Sequence, residues 1–341
     1  MTMTEALNVQ SRACASLGSP FMGRLFALLA KNWPIETRIA ALCDSWGGDI
    51  GPGGASLPLR LAGGLHALVL QGRDASLAAH YPPNQTDDTA LMTEVARALA
   101  EHAAFIHDWM QSAPQTNEVR RSAALVPAAH YIAGKIELPF MTSELGASAG
   151  LNLAWDRYAV VVGDMRYGPT EPVLTLTPEW HGQPPVPMPI RVEDAQGVDL
   201  NPLDTTQPAD ALRLLSYLWP DQPERAALTR AAIAARNAPV HRSDAIDWLE
   251  TRLKAQPDGR LHLIYHTIAW QYFPAAAQER GTALIEAAGS KATESRPLAW
   301  LSLENDGGDA GAALNLRLWP GDITLALGRA DFHGRWVDWH V

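Results

Sequence analysis

The residues with the clearest chemical potential lie in a loop of small side chains. An apolar run over Leu138–Leu145 predicts a short strand, Glu144 lies near its end, and Gly146-Ala147-Ser148-Ala149-Gly150 follows before an apolar helical stretch. Gly146 permits a tight turn, small residues let a ligand approach the backbone, and Gly150 lets helix and strand pack closely. The unpaired N–H groups at the helix start would face that ligand. The pattern predicts a nucleoside-type cofactor site.

The same residues match the G-x-S-x-G turn that carries the nucleophile of α/β-hydrolases. Ser148 would be the nucleophile, and His333 with late acids could complete a triad. Topology argues against this interpretation, because the loop follows the first predicted strand of its domain and no His-Gly-Gly run precedes it. The hydrolase and a glycine turn that binds no ligand remain as alternatives.

Polar residues also end three later apolar runs. Asp199 follows Val198, Asp244 follows Ser243, and His266 lies at the end of a further run. Each has a structural alternative, since Asp199 precedes an Asx-turn sequence and Asp244 could cap a helix. A lone histidine is commonly a buried structural residue.

Asn117 and Glu118 are polar residues just upstream of the first predicted strand. With Thr116 they could form a capping box. A contact to the cofactor or to the substrate is the other interpretation.

The distribution of apolar runs predicts the fold. From residue 137 short apolar runs alternate with helical stretches, which indicates a doubly wound, mostly parallel α/β sheet with helices on both faces. The predicted strands are 138–145, 198–200, 240–243, 261–267 and 297–303.

The first part of the chain has helical periodicity instead, and no strand is predicted before about Lys135. We expect a helical domain over residues 1–134 that covers the crevice, and an α/β domain over 135–341 with an insertion at about 160–189. The segments Leu314–Trp319 and Ile323–Leu327 predict an antiparallel hairpin at one edge of the sheet.

Composition narrows the classes of function. The net charge of −10 argues against a nucleic-acid partner, which would need a basic patch. Cys14 and Cys43 are the only cysteines, and their spacing predicts neither a metal site nor a disulfide scaffold. The sequence shows no signal peptide pattern and no apolar run long enough for a membrane span. We therefore expect a cytoplasmic protein without metal or membrane partner.

Glu144–Gly150 resembles the first motif of class I S-adenosylmethionine-dependent methyltransferases, an acid-x-Gly-x-Gly-x-Gly loop, with Ser148 at the middle glycine. Several blocks over nearly the whole chain also resemble an uncharacterised bacterial family known only as a domain of unknown function. These blocks are 115–119, 198–204, 219–225, 266–273 and 332–336.

The methyltransferase resemblance implies roles for the other residues. Asp199 would accept hydrogen bonds from the ribose hydroxyls, Asp244 would meet the adenine amino group, and the segment from His266 to Pro274 would lie beneath the transferred methyl group. Asp199 stands over fifty residues beyond the loop instead of the usual twenty or so, which the insertion would explain.

The implied activity is methylation of an unknown small molecule with S-adenosylmethionine as cofactor. Glu144, Gly146, Ala147, Ser148 and Gly150 would bind it together with the polar residues named above. His266 would be the base if the acceptor must lose a proton. The alternative from another class is a non-catalytic binding or regulatory protein that has kept the cofactor fold.

Overall fold

The computed structural model describes residues 1–236, 238–308 and 310–341. These residues divide into two compact units. The first contains Met1–Thr116 with Thr205–Ala227, and the second contains Asn117–Asp204 with Leu228–Val341. The expected boundary at residue 134 thus falls inside the second unit, and a segment from the predicted α/β domain joins the helices.

The first unit is helical, as its periodicity predicts. A large apolar cluster, with Leu7, Leu25, Leu61 and Leu99 among its fully buried members, forms its core. Its N-terminal segment contains α1 Met3–Ser16, α2 Pro20–Lys31, α3 Arg38–Asp44, α4 Leu57–Leu70, α5 Ala75–Ala79, α6 Asp88–Glu101 and α7 Ala103–Met110.

The amphipathic stretch over residues 89–110, whose apolar positions recur at helical spacing, forms two helices. The backbone of His102 leaves the helical conformation, with φ −104° and ψ +23°, and its side chain lies 3.1 Å from Asp74 Oδ2. The break thus coincides with a long-range contact, in a stretch whose apolar spacing is continuous.

Asp221 attaches the 205–227 segment to the N-terminal helices. Its carboxylate accepts hydrogen bonds from Ser19 Oγ at 2.6 Å and from the backbone N–H of Phe21 at 2.9 Å. Ser19 is also the N-cap of α2, with Pro20 at its first position. The segment contributes α9 Pro208–Ser216 and the start of α10 Pro223–Ala235.

The second unit is built on a sheet of nine strands, counted over the described part of the chain, in the order β5-β12-β11-β10-β9-β8-β1-β6-β7. These strands are β1 Phe140–Leu145, β5 Glu179–His181, β6 Val192–Asp199, β7 Val240–Arg242, β8 Leu261–Thr267, β9 Leu298–Glu304, β10 Ala312–Trp319, β11 Ile323–Ala330 and β12 Trp336–Trp339. Each of the five predicted strands overlaps an observed strand, although the predicted run 198–200 coincides only with the end of β6.

β1, β6, β7, β8 and β9 run parallel to one another. In chain order they are the first to fifth strands of this block, and they lie side by side as third, second, first, fourth and fifth. From β1 the chain adds β6 and then β7 on one side, and it returns to add β8 and then β9 on the other side. The point of reversal lies between β1 and β8, at the end of the strand that precedes the Gly146 loop.

The C-terminal hairpin is confirmed, since β10 and β11 pair antiparallel. Its expected place at the edge of the sheet is wrong. β12 pairs antiparallel with β11, and β5 then pairs parallel with β12. A strand from the predicted insertion thus covers the edge. The rest of the insertion contains β2 Tyr158–Val162, β3 Met165–Tyr167 and β4 Leu174–Leu176, which form a separate small sheet.

Helices α8 Ser122–Ala133, α11 Ala245–Leu253 and α12 Ala275–Gly289 complete this unit with the C-terminal part of α10. The stretch after the Gly146 loop is a 3-10 helix over Leu151–Arg157 that contains a kink at Ala154. Across all described residues, no helix combines the length and the apolar character that a membrane crossing requires.

A buried polar network joins the two central strands to α11. His262 Nε2 lies 2.8 Å from Ser143 Oγ, which also accepts a hydrogen bond from Arg252 Nε, and Arg252 forms an ion pair with Asp194. Burial, with the nearby positive charge of Arg252 as the next cause, lowers the pKa of His262 to about 3. The imidazole is therefore neutral in the folded protein, and the Ser143 hydroxyl can donate to it.

This network predicts acid lability. Because the pKa of His262 is lower in the folded chain than its usual 6.5, the unfolded chain binds the proton first as the pH falls. The resulting stability is fully present above about pH 6.5 and is lost progressively toward pH 3, at about 1.4 kcal/mol per pH unit. His262→Gln should flatten that slope of the unfolding free energy in denaturant titrations. His107→Gln, at an exposed histidine, should leave it unchanged. Equal slopes for wild type and His262→Gln would contradict the assignment.

Candidate ligand site at the carboxyl ends of β1, β6 and β8

The Gly146 loop is tied to the end of β6. Both Gly146 N and Ala147 N donate to the carbonyl oxygen of Val198, at 2.9 and 3.0 Å. Gly146 has a φ of +73°, a conformation that glycine adopts without strain. A Cβ built there would lie 2.5 Å from the Ala269 Cβ, so the glycine also permits the close approach of the segment after β8.

Asp199, the last residue of β6, holds the same loop through its side chain. Its Oδ2 accepts a hydrogen bond from Ser148 N at 2.9 Å, and its Oδ1 accepts one from Asn201 N at 2.8 Å. Leu203 N in turn donates to the Ser148 carbonyl oxygen. The structure thus brings together the predicted loop and the predicted ribose acid. It also confirms the Asx turn, so Asp199 has a structural role whether or not a ligand binds.

Asn117 and Glu118 contact the two residues that follow this loop. Asn117 Oδ1 accepts a hydrogen bond from Leu151 N at 2.8 Å, and the Glu118 carbonyl oxygen accepts one from Asn152 Nδ2 at 3.2 Å. The first N–H of the 3-10 helix is therefore bound by a protein side chain. The expectation that it faces a ligand is wrong, because Asn117 caps it.

Two buried oxygen atoms beside the loop have no hydrogen-bond partner among the described residues: Glu144 Oε2 and Ser148 Oγ. The Glu144 side chain belongs to a residue only 2% exposed. Burial raises the pKa of Glu144 well above its usual range, while Arg121 opposes the rise and Asp199 adds to it. A buried polar atom left unpaired costs about 1–3 kcal/mol, so a ligand that donates to these oxygens would be stabilised here.

Ser148 adopts a φ of +53°, which is uncommon for a residue with a side chain. The bond from its N–H to Asp199 holds it there. The backbone strain and the unpaired hydroxyl therefore coincide at one residue of the loop. Such coincidence is typical of ligand sites.

The segment after β8 is strained as well. Ile268 has a φ of +52°, which for a β-branched side chain is an outlier. Its N–H is bonded to the Leu303 carbonyl oxygen, and the following residue, Ala269, meets Gly146. Two strained turns thus face each other where the strand order reverses.

His266, the predicted base, is almost fully buried at 1% exposure, and both of its ring nitrogens are engaged. Trp300 Nε1 donates to His266 Nε2 at 2.9 Å, which places the imidazole proton on Nδ1. Nδ1 lies 2.7 Å from Glu304 Oε1, and the ring stacks on Trp270. This geometry supports a structural role for His266, which was the alternative to a role as the base.

Glu304 organises this side of the site and was not singled out from the sequence. Besides His266, its carboxylate accepts hydrogen bonds from the N–H groups of Ala269 and Trp270 at 3.0 and 3.1 Å. The pKa of Glu304 lies below its usual range, since these donors outweigh its burial. Its signal in the sequence was an acid at the end of an apolar run, the pattern that identified Asp199.

Asp244 has a capping role. Its Oδ1 accepts hydrogen bonds from Ile246 N and Asp247 N, so it is the N-cap of α11. No cluster of three or more His, Cys, Asp or Glu side chains suited to a metal ion occurs among the described residues.

Comparison with known proteins places the chain in one family. A family described as "Uncharacterized protein conserved in bacteria (DUF2332)" matches residues 4–339. The chain belongs to this family. Searches of curated proteins and of solved structures each found no match.

The DUF2332 match covers both structural units, and it contains every residue of the candidate site. The helical unit is therefore part of what defines the family. The description of the family names no reaction.

Close packing at Gly146 predicts a measurable defect. Gly146→Ala places a Cβ at 2.5 Å from Ala269, whereas Gly259→Ala, at a nearly equal φ of +75°, meets nothing within 4 Å. Both variants have the backbone strain of a left-handed alanine, about 1–2 kcal/mol. Gly146→Ala should lose about 1–3 kcal/mol more from the clash. Urea unfolding of the two variants would measure the difference, and equal losses would show that the two strand ends do not pack together.

Proposed function

We propose that this member of the DUF2332 family binds S-adenosylmethionine at the carboxyl ends of β1 and β6 and transfers its methyl group to a small molecule. One observation carries the proposal. The Gly146 loop follows the first strand of a parallel block ordered 3-2-1-4-5, and the acid that ends the second strand is bonded to it. Dinucleotide-binding folds use the order 3-2-1-4-5-6 and bind ligands at the reversal of strand order.

The hydrogen bonds of the loop favour a nucleoside without a diphosphate. The N–H groups of Gly146, Ala147, Ser148, Gly150 and Leu151 all donate to protein oxygens. A diphosphate cradle needs such groups directed at the ligand. An adenosyl sulfonium carries no phosphate and needs acceptors instead, for its ribose hydroxyls and for its ammonium group.

Acceptor oxygens are what the loop presents. Each oxygen of a carboxylate has two lone pairs, so a backbone donor on each oxygen of Asp199 does not exhaust what the group can accept. Glu144 Oε2 and Ser148 Oγ are buried without a partner among the described residues. These three side chains would bind the ribose and ammonium donors of the cofactor.

Methyl transfer asks the protein chiefly to align the donor and the acceptor. The engagement of both nitrogens of His266 removes the expected base from the proposal. His266 has a structural role instead, since with Glu304 it fixes the backbone of the segment that meets Gly146. We therefore expect an acceptor atom that is nucleophilic without deprotonation.

The Ser148 hydrolase has one observation in its favour, because nucleophile elbows are strained turns and Ser148 has a positive φ. Against it, no described residue is hydrogen-bonded to Ser148 Oγ, whereas an activated serine needs a base within reach. The loop also follows the first strand of the sheet. A non-catalytic binding protein remains the other alternative, and the same cofactor would bind without turnover.

Titration calorimetry with S-adenosylmethionine and S-adenosylhomocysteine tests the proposal. Both should bind the full-length protein, and Asp199→Asn should weaken binding by about 1.5–3 kcal/mol, the loss for a hydrogen bond to a charged group. Asp204→Asn is the matched control, because Asp204 lies in the following turn and pairs with Arg236. It should bind like the wild type.

Thermal unfolding must accompany the titration, since Asp199 also accepts two backbone donors and its loss will destabilise the turn. Failure of the folded wild type to bind either ligand would refute the proposal. Labelling of Ser148 by a fluorophosphonate, lost in Ser148→Ala, would establish the hydrolase instead. Binding without methylation of any metabolite extract would favour the non-catalytic alternative.

A further inference from the structure

A cavity of about 210 Å³ lies in the second unit among α8, the 3-10 helix and the end of the insertion. Its walls are partly apolar, with Val126, Pro169 and Ile190 among them. Three side chains that can form hydrogen bonds also line it: His130, Trp155 and Asp156. The cavity is open to solvent on one side, and none of these residues belongs to the site of the proposed function.

Trp155 contributes an unpaired donor. Its residue is 1% exposed, and its Nε1 has no acceptor within the described part of the chain. Its ring packs edge-on against Phe140, with centroids 5.9 Å apart, so the indole is held in place. A buried indole N–H normally finds a partner, which makes this one an exception that a ligand would explain.

His130 contributes a second donor. The backbone N–H of Met188 can only donate, and it bonds to His130 Nδ1 at 2.9 Å, so Nδ1 carries no proton. Burial lowers the pKa of His130 to about 4, which keeps the ring neutral near pH 7. The proton of the neutral ring therefore lies on Nε2, for which no described residue supplies an acceptor. The ring itself packs against Tyr167.

Asp156 contributes an acceptor. The side chain is half buried, and burial raises the pKa of the carboxyl group. Its hydrogen bond is to its own backbone N–H, and the neighbouring Arg157 donates elsewhere, to the Ala235 carbonyl oxygen. No ion pair joins Asp156 to a cation among the described residues. A cationic ligand group would restore the pairing that burial demands.

This cavity lies away from the Gly146 loop. Trp155 packs on Phe140, which begins β1, whereas the loop follows the other end of that strand. At about 3.3 Å per residue, the ends of β1 are some 16 Å apart. The cavity is therefore distinct from the cofactor site, and the inference does not depend on the proposed function.

We propose that the cavity binds a small amino acid as its zwitterion. Trp155 Nε1 and His130 Nε2 donate to the carboxylate of the ligand, and Asp156 accepts from its ammonium group. A zwitterion has a negative carboxylate for the two N–H donors and a positive ammonium group for the Asp156 carboxylate. The volume of about 210 Å³ leaves room for a molecule of alanine or serine size.

Nuclear magnetic resonance of the full-length ¹⁵N-labelled protein tests this assignment, with the Trp155 indole signal assigned through Trp155→Phe. L-Alanine and L-serine should shift that signal saturably. Propionate, which lacks the ammonium group, and ethylamine, which lacks the carboxylate, should bind at least tenfold more weakly. Asp156→Asn should weaken L-alanine binding about tenfold or more, as expected for loss of a charged hydrogen-bond partner.

Trp180→Phe is the matched control. Its indole Nε1 is also buried without a described partner, but it stacks on Trp339 outside the cavity. This variant should bind L-alanine like the wild type. No shift of the Trp155 signal with either amino acid would overturn the proposal, and so would equal binding of propionate that is unaffected by Asp156→Asn.

Discussion

The carboxylate of Asp199 connects the two strand ends on which the candidate site is built. It accepts the N–H of Ser148 from the loop after β1 and the N–H of Asn201 from its own turn. Two backbone bonds from the loop to the Val198 carbonyl oxygen lie beside it. Together they fix Ser148 in a conformation with positive φ and leave its hydroxyl buried. The strain in the loop is therefore balanced by bonds from the neighbouring strand, which is how a folded chain maintains such a residue.

The opposite wall of the site follows the same principle with a different acid. Glu304 ends β9 and accepts the N–H groups of Ala269 and Trp270 together with His266. The turn that it holds contains Ile268 in a strained conformation and meets Gly146 directly. Acids at the ends of β6 and β9 thus define the two turns that face each other. This explains why His266 is buried and fully bonded, since its ring supports Glu304.

Part of this architecture could be predicted from the sequence, because β8 and β9 are largely apolar runs and polar residues mark the ends of β6, β8 and β9. β6 is mostly polar, which is why only its end was predicted. Asp199 was singled out as such a strand-end residue, whereas Asn117 and Glu118 were singled out as polar residues just upstream of β1. What the sequence could not reveal depends on distant partners. Asp221 draws residues 205–227 to the helices, Asp74 meets His102 at the helix break, and β5 pairs with a strand more than 150 residues later. None of these contacts leaves a local periodicity to detect.

We propose that the carboxyl ends of β1 and β6 hold an adenosyl cofactor. The most direct test is a crystal structure of the protein grown with S-adenosylhomocysteine. We expect the ribose hydroxyl oxygens to lie within hydrogen-bond distance of Asp199, with the ligand against the Gly146 loop. Ligand density at another place, with the loop and Asp199 bonded only to protein, would contradict it.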